Sequence, residues 1–179
     1  MKILISDTSV LLNLLAANCL ASIASATGWQ FAICPAVKAE VKKLRDPTSG
    51  ELIAVDVTDI IESGVLQLLE MTDENEQIHY VNLASVMDDG EAMAVAIASQ
   101  RGYDLAIDDK RAGNHARRTY AMLHIVSTPD ILKAWFDAGA VTRGQLKNVI
   151  ASIESRARYL PAKSHPLFQW WASSRDEAD

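Results

Sequence analysis

Residues 2–14 read KILISDTSVLLNL. A short aliphatic run stops on Ser6-Asp7-Thr8-Ser9, and the apolar residues that follow have the density of a buried helix. Asp, Ser and Thr are helix-capping types, so the stretch predicts a strand that hands over to a helix with a carboxylate at the junction. Three further stretches repeat the arrangement. In FAICPAVKAEV (31–41) a strand runs into Pro35, which suits a first helical turn, and Glu40 follows one turn inside. MDDGEAMAVAIA (87–98) places Glu91 in a first helical turn, and YDLAIDDKRAG (103–113) places Asp108 and Asp109 directly after a buried strand.

Outward from these stretches the pattern keeps alternating. Val10–Ala26 predicts one buried helix, residues 29–34 a strand, and residues 35 to about 44 a helix stopped by Asp46-Pro47-Thr48-Ser49-Gly50. Residues 51–61 fit a short helix or a strand equally. An edge strand is expected at 64–71, helices at 74–86 and 90–99, a strand at 105–107, a helix to about Arg118 and a last strand at 123–126. Ser127 and Thr142 then cap two helices, to about Ala138 and Arg158. Alternation of this kind predicts an α/β fold with a mainly parallel sheet covered on both faces, where ligands gather beyond the carboxyl ends of the strands. Phe168, Trp170 and Trp171 either close over the core or mark a partner-binding edge.

The chain has 179 residues and a net charge of −6, which opposes a generic, uniformly basic nucleic-acid binder. The sum hides basic clusters: Lys38, Lys42, Lys43 and Arg45 in one, Lys110, Arg111, Arg117 and Arg118 in another. Solvated helix faces account for such clusters. Two of them nevertheless follow a candidate carboxylate immediately, where Lys42, Lys110 and Arg111 could hold the phosphates of a strand. Cys19 and Cys34 lie in apolar segments and read as core thiols of a cytoplasmic protein. The opening residues lack the charged, apolar and cleavage regions of a signal peptide. Polar residues interrupt the apolar run 10–26, so a membrane span is not expected.

Taken singly, each acid has an ordinary explanation. Asp7, Asp108 and Asp109 could be helix caps, Glu40 a surface partner for Lys38 and its neighbours, and Glu91 a first-turn dipole partner. Taken together, several carboxylates beside apolar strands repel one another unless a cation offsets the repulsion. Mg²⁺ and Mn²⁺ are hard ions that take oxygen ligands. A haloacid-dehalogenase-type phosphatase also begins with an Asp after its first strand but needs a second Asp two positions on, where this chain has Ser9. A receiver domain would need an acidic pair after the first strand and a late Lys.

In order and context, ISDTSVLLNL, PAVKAEV, DDGEAMAVAIA and LAIDDKRA resemble the PIN-domain ribonucleases, nearest the VapC-like toxin branch and related prokaryotic PIN proteins. The resemblance runs from Met1 to about Val126. It implies a three-layer α/β/α sandwich with extra C-terminal helices, divided as a PIN-like domain over residues 1–127 and a helical extension over 128–179 packed on it. Asp7, Glu40, Glu91 and one of Asp108 and Asp109 carry over as the catalytic acids, supported by the hydroxyls of Thr8 and Ser9. Asp7, Glu91, Asp108 and Asp109 are the implied metal ligands. The implied activity is Mg²⁺- or Mn²⁺-dependent endoribonuclease cleavage, with RNA as substrate, a cognate antitoxin and a homodimer as implied partners. A catalytically silent RNA- or protein-binding module is the alternative. Two departures stand out: Met93 occupies a position that is often acidic in such proteins, and KRAGNHARR replaces an Ala-Arg close behind the last acidic pair.

Overall fold

The computed structural model describes residues 2–176; Met1 and residues 177–179, which the sequence assigns to the two ends of the chain, lie outside them. Five strands form one parallel sheet: β1 (Lys2–Ser6), β2 (Trp29–Ile33), β5 (Leu66–Leu68), β6 (Asp104–Ala106) and β7 (Ile125–Val126), in the order β5-β2-β1-β6-β7. β1 is central. Its register pairs Leu4 with Phe31 on one side and Ile5 with Leu105 on the other. The chain leaves β1 toward β2 and returns later to β6, so the strand order reverses beside β1. That reversal opens a crevice at the carboxyl ends of β1 and β6. β3 (Lys43–Arg45) and β4 (Leu52–Ala54) form a separate antiparallel pair.

Helices cover the sheet and make it an α/β/α sandwich: α1 (Thr8–Ala16), α2 (Leu20–Thr27), α3 (Pro35–Glu40), α4 (Thr58–Glu62), α5 (Glu74–Leu83), α6 (Asp89–Arg101), α7 (Lys110–Thr119), α8 (Thr128–Asp137), α9 (Arg143–Ser152) and α10 (Phe168–Asp176). α3 and α5 pack on α6, α2 packs on α8, and a π-helical turn at Ile153–Ala157 packs on α1. One continuous core runs from Leu4, Ile5, Phe31 and Leu105 in the sheet through Ile131, Leu132 and Ile150 to Trp171, which is 0% exposed. The residues after 127 therefore share the interior of those before it.

Three local expectations are corrected. The single helix at 10–26 is two, bent by 103°. Asn18 sits between them in the left-handed region at φ 50°, and the Arg156 guanidinium donates to the Ala16 carbonyl at 2.5 Å, satisfying an acceptor that a continuing helix would have used. Among the described residues no single helix is long and apolar enough to cross a membrane. The helix from Pro35 stops at Glu40 rather than Leu44, because Val41 turns extended and residues 43–45 pair with 52–54 instead. Asp46 sets that hairpin's turn by accepting from the Thr48 and Ser49 amides. Residues 51–61 accordingly contain both a strand and a helix. The last helix before the tail ends in the π turn, with Arg158 at φ 57°, and the aromatic tail forms α10. Trp171 closes over the core and donates to Glu154 at 2.8 Å.

Candidate active site

The β1–α1 junction builds the centre of the site. The Asp7 amide continues the ladder by donating to the Ala106 carbonyl at 2.9 Å, which fixes Asp7 at the crevice. Its Oδ1 caps α1 by accepting from Val10 N at 2.7 Å. Its Oδ2 accepts from Ser9 Oγ at 2.9 Å and from Asp108 N at 3.3 Å. The side chain is 2% exposed. Burial, reinforced by the charge of Asp108, pushes its carboxyl up to about 7.

Asp108 and Asp109 are neighbours in the chain with different surroundings. Asp108 Oδ1 accepts from Thr128 N at 2.9 Å and Tyr159 OH at 3.1 Å; its Oδ2 accepts from Asn13 Nδ2 at 2.9 Å and Thr128 Oγ1 at 2.6 Å. Those four donors favour the carboxylate, while burial pushes the carboxyl upward against them. The same burial and the Asp108 charge raise the Tyr159 phenol, so it stays a protonated donor. Asp109 caps α7 through Oδ1, which accepts from Ala112 N at 2.7 Å, and is exposed.

On the other side of the crevice Glu40, the last residue of α3, bridges two helix starts. One oxygen accepts from Thr8 Oγ1 and the other from Gly90 N at 3.1 Å. The approach requires Gly90. A Cβ there would lie 2.6 Å from Glu40 Oε2. Gly90→Ala should therefore displace the Glu40 carboxylate, the mobile end of an exposed side chain, while raising helix propensity by about 1 kcal/mol. We expect an unchanged or higher Tm and a loss of cleavage of about 10- to 100-fold, measured as kcat/KM beside a thermal melt. Unchanged activity would detach Glu40 from the site.

Glu91 is half-buried one residue further along α6, its Oε2 accepting from Asp88 N at 3.4 Å. Burial, then the charges of Asp109, Asp88 and Glu40, push its carboxyl up to about 7. With Asp88, Asp109 and Arg111 it lines a cavity of about 370 Å³. A second cavity, of about 460 Å³, lies across Asp109 and is lined by Lys110, Asn114, Arg117 and the segment 159–166. Lys42 is exposed between α3 and β3 and lines neither cavity.

The acids thus fall into two groups, Asp7 with Asp108 and Glu91 with Asp109, Asp88 and Glu40. The Asp7–Thr8 and Asp108–Asp109 peptide links join them. Among the described residues no three His, Cys, Asp or Glu side chains stand close enough together to hold a metal ion. The donors are all oxygen, and two of them carry raised proton affinity because no cation offsets their burial. That donor set fits a hard divalent ion. Such an ion would draw the groups into a site rather than enter a finished one. Asn13, Thr128, Tyr159 and Asp88 were not singled out from the sequence. The lone amide of Asn13 within VLLNLL was the available signal, since a buried polar side chain needs partners.

A parallel α/β/α sandwich with acids from β1, α3, α6 and the β6–α7 junction around one crevice has the architecture of an acid-dependent hydrolase. A family model described as a PIN domain matches residues 3–166, and the chain belongs to the PIN-domain family. PIN domains are generally nucleases and generally use divalent metals. No curated protein and no solved structure matches the chain.

Proposed function

We propose that this chain is a metal-dependent endoribonuclease in which Asp7, Glu40, Glu91 and Asp109 hold one or two Mg²⁺ or Mn²⁺ ions. The observation that carries the reading is the pair of carboxyls, Asp7 and Glu91, raised to about 7 on opposite sides of one crevice. Asp109 suits the ligand role better than Asp108, because four donors already occupy both Asp108 oxygens. Asp108 is then a positioning residue that holds the β6–α7 junction against β1, with Thr128, Asn13 and Tyr159 behind it. Thr8 and Ser9 orient Glu40 and Asp7. Arg111, on the wall of the Glu91 cavity, and Lys110 are placed to hold strand phosphates. When bound, the metal supplies a water of lowered pKa and offsets charge on the scissile phosphate. The test is cleavage of single-stranded RNA in Mn²⁺ against EDTA.

The finer reading, a toxin silenced by an antitoxin peptide and paired as a homodimer, rests on the resemblance alone. The dispersed acid groups favour the second reading, a silent binding module. Titration with Mn²⁺ by calorimetry separates the two, since a silent module shows no binding that Asp7→Asn removes.

The raised carboxyls also give a pH dependence. Between about pH 4 and 7 the metal-free folded protein keeps a proton on Asp7 that the unfolded chain releases, so stability falls as pH rises through that window. One such proton contributes a slope of up to about 1.4 kcal/mol per pH unit. Glu76, pulled down by Arg101, acts in the opposite sense at lower pH, where its stabilisation is lost on acidification. The difference between wild type and Asp7→Asn isolates the effect. Urea midpoints in EDTA should decline less steeply from pH 5 to 7 in the variant, and Mn²⁺ should stabilise wild type more at pH 8 than at pH 5. Parallel profiles would contradict the Asp7 assignment.

A further inference from the structure

The second cavity lies between α7 and the segment 159–166. Ile107, Gly113, Leu160, Ala162 and Pro166 give it apolar walls, and Asn114, Ser164 and His165 give it polar ones. Its acids are already engaged: Asp108 by its four donors, and Asp130 by Ser127 N at 2.9 Å and Ser127 Oγ at 2.5 Å. Its cations are not. Among the described residues neither Lys110 nor Arg117 forms an ion pair, and the Lys110 ammonium meets only Ser164 Oγ at 3.4 Å. Gly113 leaves space for the Arg117 guanidinium, whose Nη1 would lie 3.4 Å from a Cβ at that position. The charge this chamber offers a ligand is therefore positive along α7.

The roof is fixed in place. Leu167 N donates to His165 Nδ1 at 3.1 Å, which leaves the Nε2 proton to donate to Ser127 Oγ at 3.0 Å, and Ser127 passes its own proton to Asp130. Tyr159 OH ties the near end to Asp108. The roof and the acid site thus share Asp108, and Asp109 lines both this chamber and the Glu91 cavity. A strand whose phosphate lies on the carboxylates at Asp109 has its neighbouring nucleotide over this chamber. About 460 Å³ is within the ~300–1,000 Å³ of small-ligand pockets. Unpaired bases are recognised by stacking on apolar or planar groups and by hydrogen bonds to their edges, which Leu160 with Pro166 and the Asn114 amide provide.

We propose that this chamber is a nucleotide subsite, taking the unpaired nucleotide adjacent to the scissile phosphate, with its phosphate on Lys110 and Arg117 and its base read by Asn114. The inference rests on the nuclease reading for its place in the reaction, and its binding test does not.

In EDTA, nucleoside 5′-monophosphates titrated onto the full chain should perturb His165 and Tyr159 resonances with a preference among the four bases. Arg117→Ala should weaken binding about tenfold, and Asn114→Ala should flatten the base preference. Leu160 is 55% exposed, so Leu160→Ala keeps the fold, and it should also weaken binding. In Mn²⁺, sequencing the cuts made in a randomised RNA should show a base preference beside the cut that Asn114→Ala erases. Saturable binding unchanged in all three variants, or no binding together with an unaltered cut preference, overturns the subsite and leaves the nuclease reading intact. Binding that follows the predicted variants in a protein that cuts no RNA upholds the subsite and removes the nuclease reading. Failure of nucleotides to displace a peptide held against Leu160 and Asn114 also overturns it, in favour of a protein ligand.

Discussion

Asp7→Asn should lower Mn²⁺-dependent RNA cleavage by about a thousandfold or more, the ~4 kcal/mol expected for loss of a ligand that positions the metal and its water. The fold should survive, because Asn is as good an N-cap as Asp and its amide oxygen can keep the 2.7 Å contact with Val10 N. The new amide group would face Asp108 N where Oδ2 now accepts, a cost of about 1–3 kcal/mol. Above pH 7 the loss of a strained charge offsets part of that cost. Steady-state cleavage, circular dichroism and Mn²⁺ titration on the same sample separate the terms. A well-folded variant that retains metal-dependent cleavage would refute the assignment of Asp7.

The largest stability effect is expected at Trp171. Its side chain is 0% exposed, packs edge-on to Tyr159 with ring centroids 5.7 Å apart, and donates to Glu154. Trp171→Ala should cost about 3–5 kcal/mol, as large-to-small changes in a core do, and should lower the urea midpoint accordingly. It should also weaken cleavage at temperatures where the protein is still folded, since Tyr159 loses the ring that holds it beneath Asp108. A cost under about 1 kcal/mol would mean that α10 is not docked in solution. Trp171→Phe, which keeps most of the apolar contact, should recover much of the loss.

The alternation of strands and helices was legible because buried parallel strands are short aliphatic runs and each is followed here by a capping residue or a proline. Asp7, Glu40, Glu91 and the 108–109 pair were legible for the same reason, since each stands at a hand-over. The bend at Ala17–Asn18 was not. Apolar density cannot distinguish one buried helix from two, and the contact that stabilises the break comes from Arg156, far along the chain. Asn18, a residue that tolerates the left-handed region, was the only local hint. The β3–β4 pair was hidden because Lys43–Arg45 takes its conformation from a partner strand rather than from its own pattern. Adjacent acids are equivalent in a string of letters, so the distinct surroundings of Asp108 and Asp109 emerge only when Asn13, Thr128 and Tyr159 arrive from elsewhere. Lys42 shows the converse: proximity in sequence to Glu40 did not bring it to the crevice.

The clasp on Asp108 has a consequence for how the molecule comes into being. Every proposed metal-binding acid has left the ribosome by residue 109, yet Thr128 and Tyr159 emerge later and the indole that braces Tyr159 later still. A nascent chain therefore carries its cutting side chains for some time before it can lock them into register. For a protein able to attack the message being read, ordering the last step of folding after the last stretch of translation delays its activity until release.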